Sequence, residues 1–388
     1  MPTTENHQIT SLLASGTIKA ITIDTSIFDE KKYQFQAAPL NSLTGLKVKN
    51  FPFILSATVA KEAQRHLEKM TEDAHRDAKK SIGQALFAFE TDKPTRDELL
   101  DQISGGRSAA EAANERFGGF LKQTACEVLE DANLVDTASL FDAYFTGKPP
   151  FGAGKKKSEF PDALALKALE NTTAARDIAI IVVSKDGDWK SFCETSDRLF
   201  LVPDIETALD LINDAPLKLR ETLFSWISEG GAGHDEVVDA VKRHVERVDI
   251  NVEAYATSGE LEAFAWAGSL TEIEWPALED MSIIDATLAG DGEWSQVVLS
   301  LPLEGTVTAQ VEINFSFWDS IDRESVAMGG RTIEVEKPVE MRLTLTLDVF
   351  NPGKEDEDIE YNDSQIDLRS LDINLGSVDV FEPEDYDA

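Results

Sequence analysis

Asp24, Glu62, Asp162, Asp186 and Asp188 are the residues of this chain best placed to do chemistry together. The apolar, β-branched run Ile178 to Val183 has the composition of a buried parallel strand. It leads directly into Ser184-Lys185-Asp186-Gly187-Asp188-Trp189, so two carboxylates appear where a core strand surfaces. The stretch Thr17 to Ile23 does nearly the same, running into Asp24-Thr25-Ser26. In open α/β sheets ligands bind outside the carboxyl ends of the strands. Acids gathered at such a place lose solvation and repel one another unless a positive charge sits among them. A divalent metal is the leading candidate. Glu62 falls in the first turns of a helix whose N-cap is Ser56, and Asp162 follows Pro161 at another helix start.

The elements needed to position these acids follow from the N-terminal half, where strand-like and helix-like stretches alternate as in an α/β sheet. Phe51 to Leu55 is a short apolar run, and Val59, Ala63, Leu67, Met70 and Ala74 then share one helical face. A largely helical stretch extends to about Phe145, interrupted near Asp92-Lys-Pro-Thr and at Gly105-Gly106. Leu199 to Val202 reads as a further strand feeding a helix over Ile205 to Ile212. Ser228-Glu-Gly-Gly-Ala-Gly-His234 reads as a linker, because its glycines resist regular structure, and Val237 to Val248 as a connecting amphipathic helix. Beyond it, Val297 to Leu303, Thr306 to Trp318 and Val339 to Phe350 have strand composition, with turn signals at Gly329-Gly330 and Asn351-Pro-Gly353. Strands without intervening helices predict a β-sandwich.

An Asp-Thr-Ser closing the first strand, a Glu on the next helix, an Asp opening a later helix, then Ser-Lys-Asp-Gly-Asp-Trp after an apolar strand: this order resembles the PIN-domain nucleases. The Glu-Phe-Pro-Asp-Ala and Val-Ser-Lys-Asp-Gly-Asp-Trp stretches are similar to a bacterial PIN-like branch with a long helical insertion. The resemblance covers roughly residues 15–215. Trp189 stands where phenylalanine is usual in the family, and Ser26 where asparagine is frequent; neither change removes an acid.

The resemblance implies a fold and an activity. The fold is α/β: a PIN-like parallel-sheet nuclease domain over residues 1–227, with a helical insertion at about 75–148. A linker and connecting helix occupy 228–248, and a smaller all-β, sandwich-like acidic domain with a frayed tail occupies 249–388. The activity is endonucleolytic hydrolysis of RNA, or of single-stranded DNA, by metal-activated water, as in a bacterial toxin or defence effector. Hard oxygen ligands suit Mg²⁺ or Mn²⁺, which would offset phosphodiester charge and lower the pKa of a bound water. Asp24, Asp162 and Asp186 would be ligands, Glu62 a ligand or a water-positioning group, and Asp188 a more peripheral member of the metal site. Thr25, Ser26 and Ser184 would orient the carboxylates, and Lys155, Lys156 and Lys157 would meet substrate phosphates. The alternative is a catalytically silent PIN-like scaffold whose acidic β domain recruits a protein.

Each acid also has a plain explanation. Asp162 after a proline suits a helix dipole, Glu62 a solvated helix face, and Asp186-Gly187-Asp188 a turn. It is their joint occurrence with Asp24 that favours a site. Gly152-Ala-Gly-Lys155 is not a phosphate loop, since Pro149 holds the first glycine position and Lys156 the hydroxyl position. Glu62 and His66 stand at i, i+4 and read as a surface pair. Cys126 and Cys193 are the only cysteines, too few for a disulfide framework or a zinc site.

No apolar run reaches the length of a membrane span and the N-terminus has no leader pattern, so a cytoplasmic protein without membrane contact is expected. The net charge of −36 is unevenly placed: residues 1–200 carry 29 acids and 25 bases, residues 201–388 carry 43 and 11. Between Arg247 and Arg323 there is no Lys or Arg. So acidic a region repels nucleic acid. The expectations are that it binds a basic partner, docks on the lysine-bearing half of its own chain, or simply confers solubility. A homo-oligomer is left open.

Overall fold

The computed structural model describes residues 6–91, 93–151, 160–257, 259–287, 293–319, 324–352 and 358–379. The chain divides into two compact units, residues 1–214 and 215–388.

Among the described residues, the first unit runs α1 (Asn6–Ala14), β1 (Ile18–Ile23), α2 (Thr25–Glu30), a 3-10 turn (Asn41–Lys47), β2 (Ile54–Ser56), α3 (Ala57–Ala88), α4 (Arg96–Ser104), α5 (Ala109–Gln123), β3 (Glu127–Leu129), α6 (Asp131–Leu134), α7 (Thr137–Thr146), α8 (Phe160–Arg176), β4 (Ala179–Val183), α9 (Gly187–Cys193), β5 (Leu199–Val202) and α10 (Ile205–Asn213). Three strands form a parallel sheet in the order β1-β4-β5. All five residues of β4 are buried, as a central strand covered on both faces requires. The register pairs Ile23 with Val183, so β1 and β4 end level with each other. A second parallel pair, β2 with β3, is tied to β1 by the Ile21–Phe53 bridge.

Ser56 caps α3 through a 3.0 Å bond from Val59 N–H to its Oγ, a contact worth about 1 kcal/mol. The expected apolar face of that helix is buried only at its N-terminal end. Val59, Ala60, Ala63 and Leu67 lie in the core, whereas Met70 and Ala74 face solvent because the helix projects beyond the sheet. The stretch 75–148 is not purely helical: β3 lies within it and joins the parallel pair. Its three residues are too short for a periodic signal, and its N–H bond to Phe53 O (2.9 Å) is made only in the fold.

The second unit runs α11 (Leu217–Ile227), α12 (His234–Val245), β6 (Asp249–Ala256), β7 (Glu260–Glu274), a 3-10 turn (Leu278–Asp280), β8 (Ser282–Thr287), β9 (Trp294–Asp319), β10 (Glu324–Phe350), β11 (Asp358–Ile366) and β12 (Ser370–Val378). An antiparallel sheet has the order β11-β10-β9-β7, with β8 also on β9, and a parallel pair joins β12 to β6. The inward residues of these strands share one core with Leu219, Leu223 and Ile227 of α11 and Val237, Val241 and Val245 of α12. The second unit is therefore β-rich and sandwich-like, with two helices in its core.

Several boundaries differ from the sequence reading. The division falls at 214/215 and not at 227/228, because α11 and α12 bury their apolar faces in the β unit. The glycines at 230, 231 and 233 are not a linker there. A Cβ on Gly231 would meet the Trp226 carbonyl oxygen at 2.4 Å, and one on Gly233 the Trp226 ring at 2.1 Å, so these glycines permit a close turn between two helices. The expected break between Leu303 and Thr306 is absent, and β9 runs straight through. Pro302 is tolerated because β9 pairs with β8 only as far as Ser300 and with β7 only from Glu304 onward, leaving a gap in the ladder on that side. Gly329, at φ 117, forms a bulge within β10 and not a turn.

Candidate active site

Asp24 is the residue at which β1 becomes α2. Its backbone N–H donates to Val183 O (2.9 Å), which ties the two strand ends together where their acids emerge. The residue is 5 % exposed and both carboxylate oxygens accept hydrogen bonds. Oδ1 accepts from Thr25 N–H (2.6 Å), and Oδ2 from Ser26 Oγ (2.6 Å) and Ser184 Oγ (2.9 Å). Burial raises its pKa, the bonds from Ser26, Ser184 and Thr25 oppose the rise, and the negative charge of Asp186 adds to it. The Ser184 hydroxyl also accepts from Asp186 N–H (3.0 Å), so one residue fixes both strand-end loops.

Asp186 is the N-cap of α9, its Oδ1 accepting from Asp188 N–H (2.6 Å) and Trp189 N–H (3.3 Å). Lys185 turns to Glu30 Oε2 (2.7 Å). Glu62, in the second turn of α3, accepts at Oε2 from Thr25 Oγ1 (3.1 Å). Asp162 lies in the first turn of α8, where Trp189 Nε1 donates to its Oδ1 (2.9 Å).

Asp162 decides how these positions relate. Burial pushes its pKa up to about 6. The Trp189 bond opposes this, while the charges of Asp24, Asp186 and Glu62 all raise it further. Acids from β1, α3 and the β4 loop are thus electrostatically felt at one carboxylate on α8. Four of the five acids singled out in the sequence converge. The fifth, Asp188, is half-buried in the first turn of α9, where its backbone N–H donates to Asp186 Oδ1. Thr25, Ser26 and Ser184 donate hydrogen bonds to these carboxylates, and Lys155, Lys156 and Lys157 lie outside the described residues.

The donors are all carboxylate oxygens, which suits a hard divalent cation, and the elevation of Asp24 and Asp162 is what such a cation would relieve. Among the described residues, however, no three His, Cys, Asp or Glu side chains stand close enough to form a ready-made ion cage. The residues fit the group in type and charge, not in a closed geometry.

The family comparison bears on this same stretch. Residues 21–189, from the middle of β1 to the tryptophan beside Asp162, match the family model described as PIN domain. The first unit contains a PIN domain. PIN domains are generally nucleases and typically use divalent metals. No curated protein and no solved structure matches the chain.

Three features of the PIN domain escaped the sequence. Trp189 registered only as a departure from phenylalanine, yet its ring is fully buried and its N–H is a donor to Asp162. Asp131 is 3 % exposed and accepts from Ala57 N–H (3.2 Å), Thr58 N–H (2.8 Å) and Thr58 Oγ1 (2.7 Å), clamping the start of the helix that carries Glu62. Asp29 accepts from Tyr33 OH (2.9 Å) and sits 3.1 Å from His66 Nδ1, while His66 Nε2 lies 4.0 Å from Glu62 Oε1. The i, i+4 spacing revealed His66; nothing local pointed to Asp29 or Asp131. Among the described residues no helix is long and apolar enough to cross a membrane.

Proposed function

We propose that this protein is a metal-dependent endonuclease that hydrolyses phosphodiester bonds of RNA or single-stranded DNA. The observation that carries the reading is the elevation of Asp162, first by burial and then by the charges of Asp24, Asp186 and Glu62, within a stretch that matches the PIN domain. Asp24, Asp162 and Asp186 would hold Mg²⁺ or Mn²⁺, which when bound supplies charge neutralisation and a water of lowered pKa. The chain's own residues do the rest. Ser26, Ser184 and Thr25 N–H fix Asp24 in place and oppose the rise that burial causes in its pKa. Trp189 fixes the rotamer of Asp162 and leaves its Oδ2 to the site. Thr25 holds Glu62 through Oε2, with Arg65 (3.8 Å) and His66 (4.0 Å) beside its Oε1, and the carboxylate so placed would orient a water or accept its proton. A cellular role as a toxin or defence effector is consistent with such an activity.

A second reading is favoured by the absence of a ready-made three-carboxylate cage among the described residues. In it the PIN domain is a silent scaffold and the acidic unit binds a basic protein partner. One experiment decides. Purified protein, Asp24→Asn and Asp162→Asn are each incubated with labelled single-stranded RNA and DNA in Mn²⁺. Cleavage by the unaltered chain alone supports the nuclease. Equal cleavage by all three exposes a contaminant, and no cleavage by any favours the scaffold.

A further inference from the structure

The helix that carries Glu62 runs on well past the part of it that is buried. α3 has 32 residues, of which Val59, Ala60, Ala63 and Leu67 lie in the core. An α-helix brings residues three, four and seven apart to the same face. From Glu62 that face continues through Arg65, Lys69, Arg76 and Lys80 to Gly83, roughly opposite the buried residues. All four cations are exposed, Arg65 by 75 % and Arg76 by 72 %.

This stripe begins at the acid centre and ends on a cation from another helix. Arg65 Nη2 is 3.8 Å from Oε1 of Glu62, the carboxylate whose other oxygen accepts from Thr25. Over Gly83 lies the side chain of Arg96, the first residue of α4, its Cδ 3.8 Å from where a Cβ would stand. The span from Glu62 to Gly83 is about 30 Å at the helical rise. Glu72 and Asp73 flank the stripe, and Arg76 holds Asp73 (2.7 Å). Among the described residues Lys69 and Lys80 have no carboxylate partner. Arg65 with Lys69, and Arg76 with Lys80, are like charges at i, i+4, an arrangement that destabilises a helix. A helix face serving solubility alone has no need of it.

We infer that Arg65, Lys69, Arg76, Lys80 and Arg96 form a track for the phosphodiester backbone of the single strand whose cut phosphate lies at the acid centre. The inference rests on the nuclease reading for the identity of the polyanion. Three properties select this occupant. Cations in a row match a regular polyanion and release its counterions, a gain that a lone anion does not give. The track is continuous with the acid centre, because Arg65 and Thr25 hold the two oxygens of the same carboxylate. A centre made of carboxylates repels the phosphates that flank the one being cut, and the stripe offsets that repulsion on one side. Contacts of this kind place a strand without reading its bases.

The test is binding without cleavage. Full-length protein in EDTA is titrated into fluorescent oligouridylate at several salt concentrations. Lys69→Gln and Lys80→Gln are each expected to weaken binding about fivefold at 0.1 M salt and to flatten the slope of log affinity against log salt by about 0.7. Lys69→Arg should preserve both quantities. The losses should be the same with oligoadenylate, because phosphates and not bases are held. Both lysines are exposed and glutamine is nearly as good a helix former, so the fold is retained, which unchanged melting verifies. Unaltered affinity and slope in the double variant overturn the track, as do losses confined to one base composition. So does tighter oligonucleotide binding by the double variant, which would make the stripe the seat of an acidic protein surface. A protein that binds through these lysines yet never cleaves in Mn²⁺ sinks the nuclease reading and leaves the track. One that cleaves while its binding ignores them does the reverse.

Discussion

The two units use carboxylates in opposite ways. In the second unit acids are many and lie on outward strand positions: Glu253, Glu334, Glu336, Glu340, Asp358 and Glu360 are all exposed, alternating with residues that face the core. In the PIN domain a few acids are brought to the ends of buried strands, where desolvation and mutual repulsion lift Asp24 and Asp162 above the ordinary carboxylate range. The abundant charge is the less informative one. What marks a site is the cost of placing a charge, and that cost is incurred at Asp24 and Asp162 while surface acids are solvated.

Breaking the PIN-domain side of this contrast should have the largest consequence. Asp24→Asn replaces an acceptor of three hydrogen bonds with a group that must turn a donor toward Thr25 N–H or toward the two serines. Cleavage in Mn²⁺ should fall at least about a hundredfold, and urea melts should show a loss of about 1–3 kcal/mol from the misplaced donor. Trp189→Phe comes next, since it keeps a buried ring but removes the donor to Asp162. Metal affinity by calorimetry should weaken roughly tenfold or more, and because that bond holds the Asp162 pKa down, the carboxyl should titrate above its present value of about 6 by carbon-13 NMR.

Asp162→Asn sharpens the contrast through stability. An unfolded aspartate releases its proton near 3.8, whereas in the fold Asp162 retains it to about 6. Its contribution to folding is therefore fully present below 3.8 and is lost as the pH rises through 6. In EDTA at neutral pH the asparagine variant, which still accepts from Trp189, should be more stable by about 1 kcal/mol, allowing for the solvent that reaches the group. That gain should shrink as the pH falls through 6. A melting profile with the opposite slope would show that Asp162 is not strained by its neighbours. The smallest effect belongs to the second unit: Glu334, Glu336 and Glu340 together changed to Gln should alter its stability by no more than about 0.5 kcal/mol per site and leave cleavage unchanged. A large loss there would mean that exposed acids matter as much as placed ones.

Much of the site was legible because the relevant signals are local. A β-branched run ending in Asp, a Ser capping a helix start, or a Pro opening a helix are features of consecutive residues, and they located Asp24, Glu62, Asp162 and Asp186 on the right elements. Trp189 and Asp131 were not legible in their roles, since a donor and its acceptor 27 positions away, or a clamp on a helix start 73 positions away, leave no mark in either neighbourhood. The glycine-rich stretch at 230–233 misled for a related reason: composition reports backbone freedom, not whether a tryptophan ring fills the space that the missing side chains leave.

By itself, then, the sequence determined the strand-to-acid junctions, the order of elements characteristic of a PIN domain, and the concentration of charge in the second half, because periodicity, capping and composition act over a few residues. Only the tertiary structure decided that α11 and α12 belong to the β unit, that Asp24 and Asp162 lie where burial raises them, and that Phe141 and Phe145 of α7 stand exposed. Those outcomes depend on which surfaces meet after long loops close. Burial, hydrogen bonding and the shifted ionisation of Asp162 come into being only at that point.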